Sequence, residues 1–148
     1  GKNLGKGYQG DVEDEQLVVP VEERTYSILA LNYQYKSKKG NLVKPSQKML
    51  ASWIQGVSVL RNMCAHNSII YNRTIHTTPE ILDADKITPP PAHNGLYQIL
   101  LAMKYLRSSD EEWTVFVNAF GKLIQNNSDV VSFAAMNLPA DWKEHLSV

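Results

Sequence analysis

Met49, Leu50, Trp53, Ile54, Val57, Leu60 and Cys64 recur at steps of three and four residues, and Ile69 extends the stripe. That spacing is the period of an α-helix with one broad buried face, and it predicts a helix over 46–69, the longest in the chain, with Cys64 on the apolar side. Gly56 weakens such a helix by up to about 1 kcal/mol relative to Ala unless a neighbour packs closely there. Shorter stretches repeat the pattern. Ile28, Leu29, Leu31 and Tyr35 mark a helix over 21–36, led by Glu22 and Glu23 and broken by the polar run 36–41, after which Pro45 can occupy the first turn of the long helix. Leu96, Ile99, Leu100, Met103 and Leu106 mark another over 93–107. Ser109 followed by Glu112 reads as a capping box, so a fourth helix starts near Asp110 and turns Trp113, Phe116, Val117, Phe120 and Leu123 inward. A short helix is expected over 129–136 and a last helical turn at Trp142. Residues 72–91, closed by Pro89, Pro90 and Pro91, read as an irregular excursion. No alternating strand pattern of useful length appears, so the expected fold class is all-α, an antiparallel bundle of four to five helices.

At 148 residues the chain has the length of one domain, and its 43% hydrophobic and 20% charged residues are ordinary for a globular protein. Residues 1–20 read as a flexible or linker segment leading from an upstream region, and 21–148 as the helical domain. No apolar run reaches the length needed to cross a bilayer. A single cysteine and no signal peptide fit a reducing compartment, and the expected location is cytoplasmic.

The net charge of zero is a cancellation. Residues 1–23 and 80–148 each carry a net charge of −4, whereas 24–79 contains no acid and eight bases: Arg24, Lys36, Lys38, Lys39, Lys44, Lys48, Arg61 and Arg73. An acid-free basic block attracts polyanions even when the whole chain is neutral, although solvated lysines around a loop would read the same way.

Inside that block lies Arg61-Asn62-Met63-Cys64-Ala65-His66. On a helix Asn62 and His66 share a face, and the long Arg61 side chain can curl toward them. A guanidinium, an amide and an imidazole suit phosphodiester cleavage in RNA: Arg holds a phosphate bidentately, His titrates near neutrality, and the amide fixes either.

The run Leu60-Arg-Asn-Met-Cys-Ala-His-Asn67, preceded by Ser52-Trp53 and followed by Tyr71-Asn72-Arg73, resembles the signature of bacterial abortive-infection (Abi) proteins of the AbiD/AbiF type. The segment Met136-Asn-Leu-Pro-Ala-Asp-Trp142 is similar to their M-G-F-P-x-x-W closing segment, and the chain resembles their C-terminal half. Asn67 stands where a His is frequent in that family, and Asn137 and Leu138 replace Gly-Phe. The family belongs to the HEPN group, whose R-x4-6-H motif is associated with metal-independent RNA cleavage. The resemblance therefore implies a HEPN-like bundle, an endoribonuclease acting in phage defence or as a toxin, Arg61 and His66 as the catalytic pair with Asn62 beside them, and no cofactor. Lys36, Lys38, Lys39, Lys44, Lys48, Tyr71, Asn72 and Arg73 are the expected RNA-binding residues.

Cleavage by 2′-hydroxyl attack needs one group to take a proton and another to protonate the leaving oxygen. One His does not readily do both in a single step, so a two-fold dimer that brings two copies of the motif together is expected, as in HEPN nucleases. Expected partners are RNA, a second copy, and an antitoxin or the missing N-terminal region. The alternative is a non-catalytic helical module that dimerises and binds RNA or protein. Cys64, His66, His76 and His93 match no compact zinc spacing, so no metal is expected, and a thiol on the apolar face would be inert. Trp53, Trp113 and Trp142 fall in the apolar pattern and read as core rather than as base-stacking platforms. Tyr71 could stack on a base or close the helix end.

Overall fold

A computed structural model of the protein describes residues 23–148. They are mostly helical, with α1 (Glu23–Asn32), α2 (Gln47–Ala65), α3 (Leu96–Tyr105), α4 (Asp110–Asn126) and α5 (Trp142–Leu146). Two 3-10 turns, Asp83–Asp85 and Ala134–Met136, and a two-stranded antiparallel sheet of β1 (Tyr35–Lys36) and β2 (Leu42–Val43) complete the elements. The segment 1–20 of the sequence reading lies outside the described residues.

The first helix stops at Asn32 instead of continuing to 36, because the chain turns into the small hairpin, with Tyr35 opposite Val43. Gly40 closes its turn at φ +78°, a left-handed conformation that suits glycine, and Ser37 donates to the Asn41 carbonyl at 2.9 Å. The Tyr35 ring meets the edge of Trp53 with centroids 6.4 Å apart, which seats the hairpin on α2.

Ser46 caps α2, its hydroxyl accepting from the Met49 amide at 3.1 Å, and the buried Pro45 precedes the cap rather than entering the first turn. The helix ends at Ala65, four residues before the expected end. Asn67 takes a left-handed φ of 51°, its amide bonds the Cys64 carbonyl, and the Ser68 amide bonds that of Met63. These are the two hydrogen bonds of a Schellman motif, with asparagine at the position usually filled by glycine. Two expectations fail here: Ile69 is 75% exposed, and Cys64 is exposed rather than buried. The last turn of α2 runs past the core that buries Leu50, Trp53 and Gly56.

α3 is buried on nearly every side, and it packs on α2 where Gly56 faces Ile99 and Ala102. The Ser109 hydroxyl caps α4 by accepting from the Glu112 amide at 3.2 Å and donates to the Glu111 carboxylate at 3.1 Å, while the Glu112 carboxylate does not return to the Ser109 backbone amide, so only half of the expected reciprocal box forms. Trp113, Val117 and Ile124 are buried on α4, Phe116 and Phe120 are half-buried, and Leu123 points outward. Only the turn Ala134–Met136 forms in the stretch 129–136. The five residues of α5 pack on both α3 and α4: Trp142 lies against Gly121, Leu146 is fully buried, and the Trp113 indole donates to the Leu146 carbonyl at 2.6 Å. Among the described residues no helix is long and apolar enough to cross a membrane.

Candidate functional site

Arg61, Asn62 and His66 all sit on the overhanging last turn of α2, and all three are exposed. The Arg61 guanidinium donates to the Asn62 amide oxygen at 3.1 Å, so these two heads are together. His66 is the C-cap, one turn on, and its backbone amide donates to the Asn62 carbonyl at 3.0 Å. The shortened helix therefore keeps Asn62 and His66 in register and ends on the imidazole. The arrangement offers a cation, an amide and an imidazole to solvent on one helix end.

Lys36, Lys38, Lys39, Lys44 and Lys48 are exposed around the hairpin and the first turn of α2. Lys48 and Arg61 are 13 residues apart on α2, which is about 20 Å at the helical rise. Lys48 and the Arg-Asn-His group thus occupy opposite ends of one helix, and the hairpin that carries the other lysines is seated by Tyr35 on Met49 and Trp53, in the half of α2 away from the motif. Two of the lysines meet acids that the sequence places far away: Lys38 lies 3.4 Å from Asp83, and Lys48 lies 3.4 Å from Glu80. The block that is free of acid along the chain is not free of it in space. These exposed pairs are weak individually, and Lys36, Lys39 and Lys44 make no ion pair among the described residues.

Tyr71 neither closes α2 nor stands alone. Its hydroxyl accepts from the Ser132 amide at 2.9 Å and donates to the Val130 carbonyl at 3.5 Å, which fastens the loop after α4 to the loop after α2. The residue remains 40% exposed, so a face is open. Asn72 follows at φ 55°, and Arg73 is exposed.

The other signature residues hold the structure. Ser52 accepts the Glu80 amide at 2.9 Å and Trp53 donates to the Glu80 carbonyl at 2.7 Å, so this pair grips both sides of one residue of the excursion. Trp53, Trp113 and Trp142 are all buried, as their place in the apolar pattern implied. Met136, Leu138 and Trp142 of the closing segment are core residues, and Asn137 adopts a left-handed φ of 57°.

A second polar group is invisible to motif reading. Asp85 is 5% exposed and accepts from the Tyr105 hydroxyl at 2.8 Å. Its other oxygen faces His145 Nδ1 at 3.1 Å and Lys104 Nζ at 3.7 Å, while His145 Nε2 faces Asp141 at 3.2 Å. Lys104 also donates to the His145 carbonyl, and the Leu82 amide donates to Tyr105. Burial, reinforced by the Asp85 charge, pushes the Tyr105 and Tyr97 hydroxyls well above the ordinary tyrosine range, with Asp141 adding to the effect at Tyr97. Burial pulls the Lys104 ammonium down, and Asp85 opposes that shift. Asp85 and its partners are up to 60 positions apart, so no spacing announces them, and Asp85 is one of three acids in the excursion, beside Glu80 and Asp83, with nothing local to single it out. Among the described residues no three of His, Cys, Asp and Glu are grouped so as to hold a metal ion.

No family model, curated protein or solved structure matches the chain.

Proposed function

We propose that the chain is a metal-independent endoribonuclease domain of the HEPN type, belonging to an abortive-infection or toxin protein of the bacterial cytoplasm. Arg61 binds and stabilises the scissile phosphate, His66 transfers protons, and Asn62 positions them. Two copies of the protruding end of α2, joined in a homodimer, form one cleft with two imidazoles and two guanidiniums. RNA approaching that cleft runs toward Lys36, Lys39 and Lys44 at the other end of α2, and Tyr71 offers a ring face near Arg73. An antitoxin or an N-terminal region is the further partner.

The observation that carries this reading is that Arg61, Asn62 and His66 leave the core together, exposed, with the guanidinium already 3.1 Å from the amide. A helical chain whose longest helix bears the motif is compatible with a HEPN-like bundle. Two of the three departures from the family pattern have a conformational reason, and nothing in the structure explains Leu138 in place of Phe. Asn67 and Asn137 hold left-handed φ values, at which asparagine is the commonest substitute for glycine, and the second stands where the pattern itself has glycine.

The test is cleavage of mixed RNA in the presence of EDTA by the purified protein, beside Arg61→Ala and His66→Ala. Both variants are expected to lose about 100-fold or more of the chelator-resistant activity. Wild-type protein that binds RNA without cutting it would move the assignment to the non-catalytic module.

A further inference from the structure

Between the excursion and α3 lies a cavity of about 580 Å³. That volume is within the roughly 300–1,000 Å³ of small-molecule pockets. Pro79, Ile81, Ile87 and Leu101 give it apolar walls, and Asp85, Asn94, Tyr97 and Gln98 give it hydrogen-bonding ones. Its wall residue Pro79 packs at Gly56 in the middle of α2, and Arg61, Asn62 and His66 are not among its lining residues.

Three features restrict what could fill it. Tyr97 is 1% exposed and its hydroxyl is buried without a hydrogen-bond partner among the described residues, a costly state that a ligand acceptor would relieve. Asp85, also buried, accepts from Tyr105 and faces His145 Nδ1 at 3.1 Å, with Lys104 Nζ at the longer ion-pair distance of 3.7 Å, yet a carboxylate has room for one more donor. Among the described residues the one cationic wall residue, Lys86, is held 2.6 Å from Asp83, and the carboxylates of Glu80 and Asp85 are matched by Lys48 and Lys104, so an anion would find no free cation on these walls.

We propose that this cavity binds an uncharged nucleoside. Its base has flat faces for the proline and aliphatic walls, and an edge that both accepts and donates, accepting a hydrogen bond from the Tyr97 hydroxyl and donating one to Asp85. With no free cation on the described walls to replace lost water, the phosphorylated forms are disfavoured by desolvation of their charge. This proposal does not depend on RNA cleavage, and its readout is binding.

Equilibrium dialysis of the full chain against adenosine, guanosine, cytidine and uridine, and against their 5′-monophosphates, tests it. At least one nucleoside is expected to bind at one per chain, about tenfold or more tighter than its monophosphate. Thr78→Trp, a substitution at an exposed wall position, is expected to fill the cavity and abolish that binding with the fold intact by circular dichroism. Tyr97→Phe separates a ligand contact from a structural one: it is expected to keep or raise the Tm of the free protein, because it deletes an unpartnered hydroxyl, and to weaken the nucleoside about tenfold. No binding at millimolar nucleoside, equal or tighter binding of the monophosphate, or binding unchanged in Thr78→Trp or Tyr97→Phe would each overturn it.

Discussion

Asp85 shows how much one buried carboxylate can organise. It ties the excursion to Tyr105 on α3 and to His145 on α5, and it supplies the counter-charge for Lys104, whose side chain is only 16% exposed. Asp85→Ala would leave that ammonium desolvated without its partner and the Tyr105 hydroxyl without its acceptor. Such losses cost about 3–5 kcal/mol, and urea denaturation monitored by tryptophan fluorescence should show a midpoint lowered to match. Arg61 and His66 are the opposite case. Both are exposed, so Arg61→Ala and His66→Ala should change stability by no more than about 0.5 kcal/mol while the proposed cleavage disappears. A Tm that drops in either variant would make the loss of activity uninterpretable as catalysis. The contrast also marks what could be read from sequence. Arg61, Asn62 and His66 are neighbours along the chain and were legible as a group, whereas Asp85 depends on residues up to 60 positions distant.

Helix α2 was legible in its stripe and in its start, not in its end. Apolar spacing continues through Cys64 to Ile69, but the Schellman motif set by Asn67 stops the helix first, and a hydrogen bond from residue 68 back to 63 outweighs a weak periodic signal. Likewise, the period located α4 but misassigned Leu123, since Ile124 takes the inward position. Gly56 has a clear explanation in the packing. A Cβ there would meet Ile99 at 3.4 Å, Ala102 at 3.5 Å and Pro79 at 3.7 Å, close contacts that still leave room for a methyl group. Gly56→Ala should therefore stabilise the protein, by up to about 1 kcal/mol from helix propensity. Thermal unfolding checks this, and a lowered Tm would mean that α2 and α3 cannot yield even slightly. The hairpin after α1 was missed because two residues per strand are too few to show alternation.

For the molecule as a whole, the distribution of charge changed most between chain and fold. Asp83 and Glu80 come to Lys38 and Lys48, so the basic surface is narrower than the run 24–79 suggested, and it lies at the far end of α2 from the motif. The interior sets the response to alkali. Tyr97 and Tyr105 stay protonated in the fold well past the ordinary tyrosine value of 10.0, while in the unfolded chain they ionise near it. Their contribution to stability is full below about pH 10 and is lost as pH rises from there toward the folded values, at roughly 1.4 kcal/mol per pH unit for each tyrosine. Lys104 acts in the opposite sense just below 10.5, where shedding its proton relieves the burial penalty. Two tyrosines outweigh one lysine, so stability should fall between pH 10 and 11. Urea titrations at pH 9, 10 and 11 measure this, and Tyr105→Phe should flatten the decline.

The separation of Asp85 from His145 also has a meaning in time. A ribosome that adds about 5–20 residues per second completes Asp85 several seconds before it reaches His145, 60 positions later. Tyr105 arrives after 20 residues and can hold the carboxylate in the interim. Until α5 emerges, the nascent excursion is held by α2, through Ser52 and Trp53, and by α3, but its buried carboxylate lacks the imidazole, and over that interval it is less firmly closed than in the finished fold.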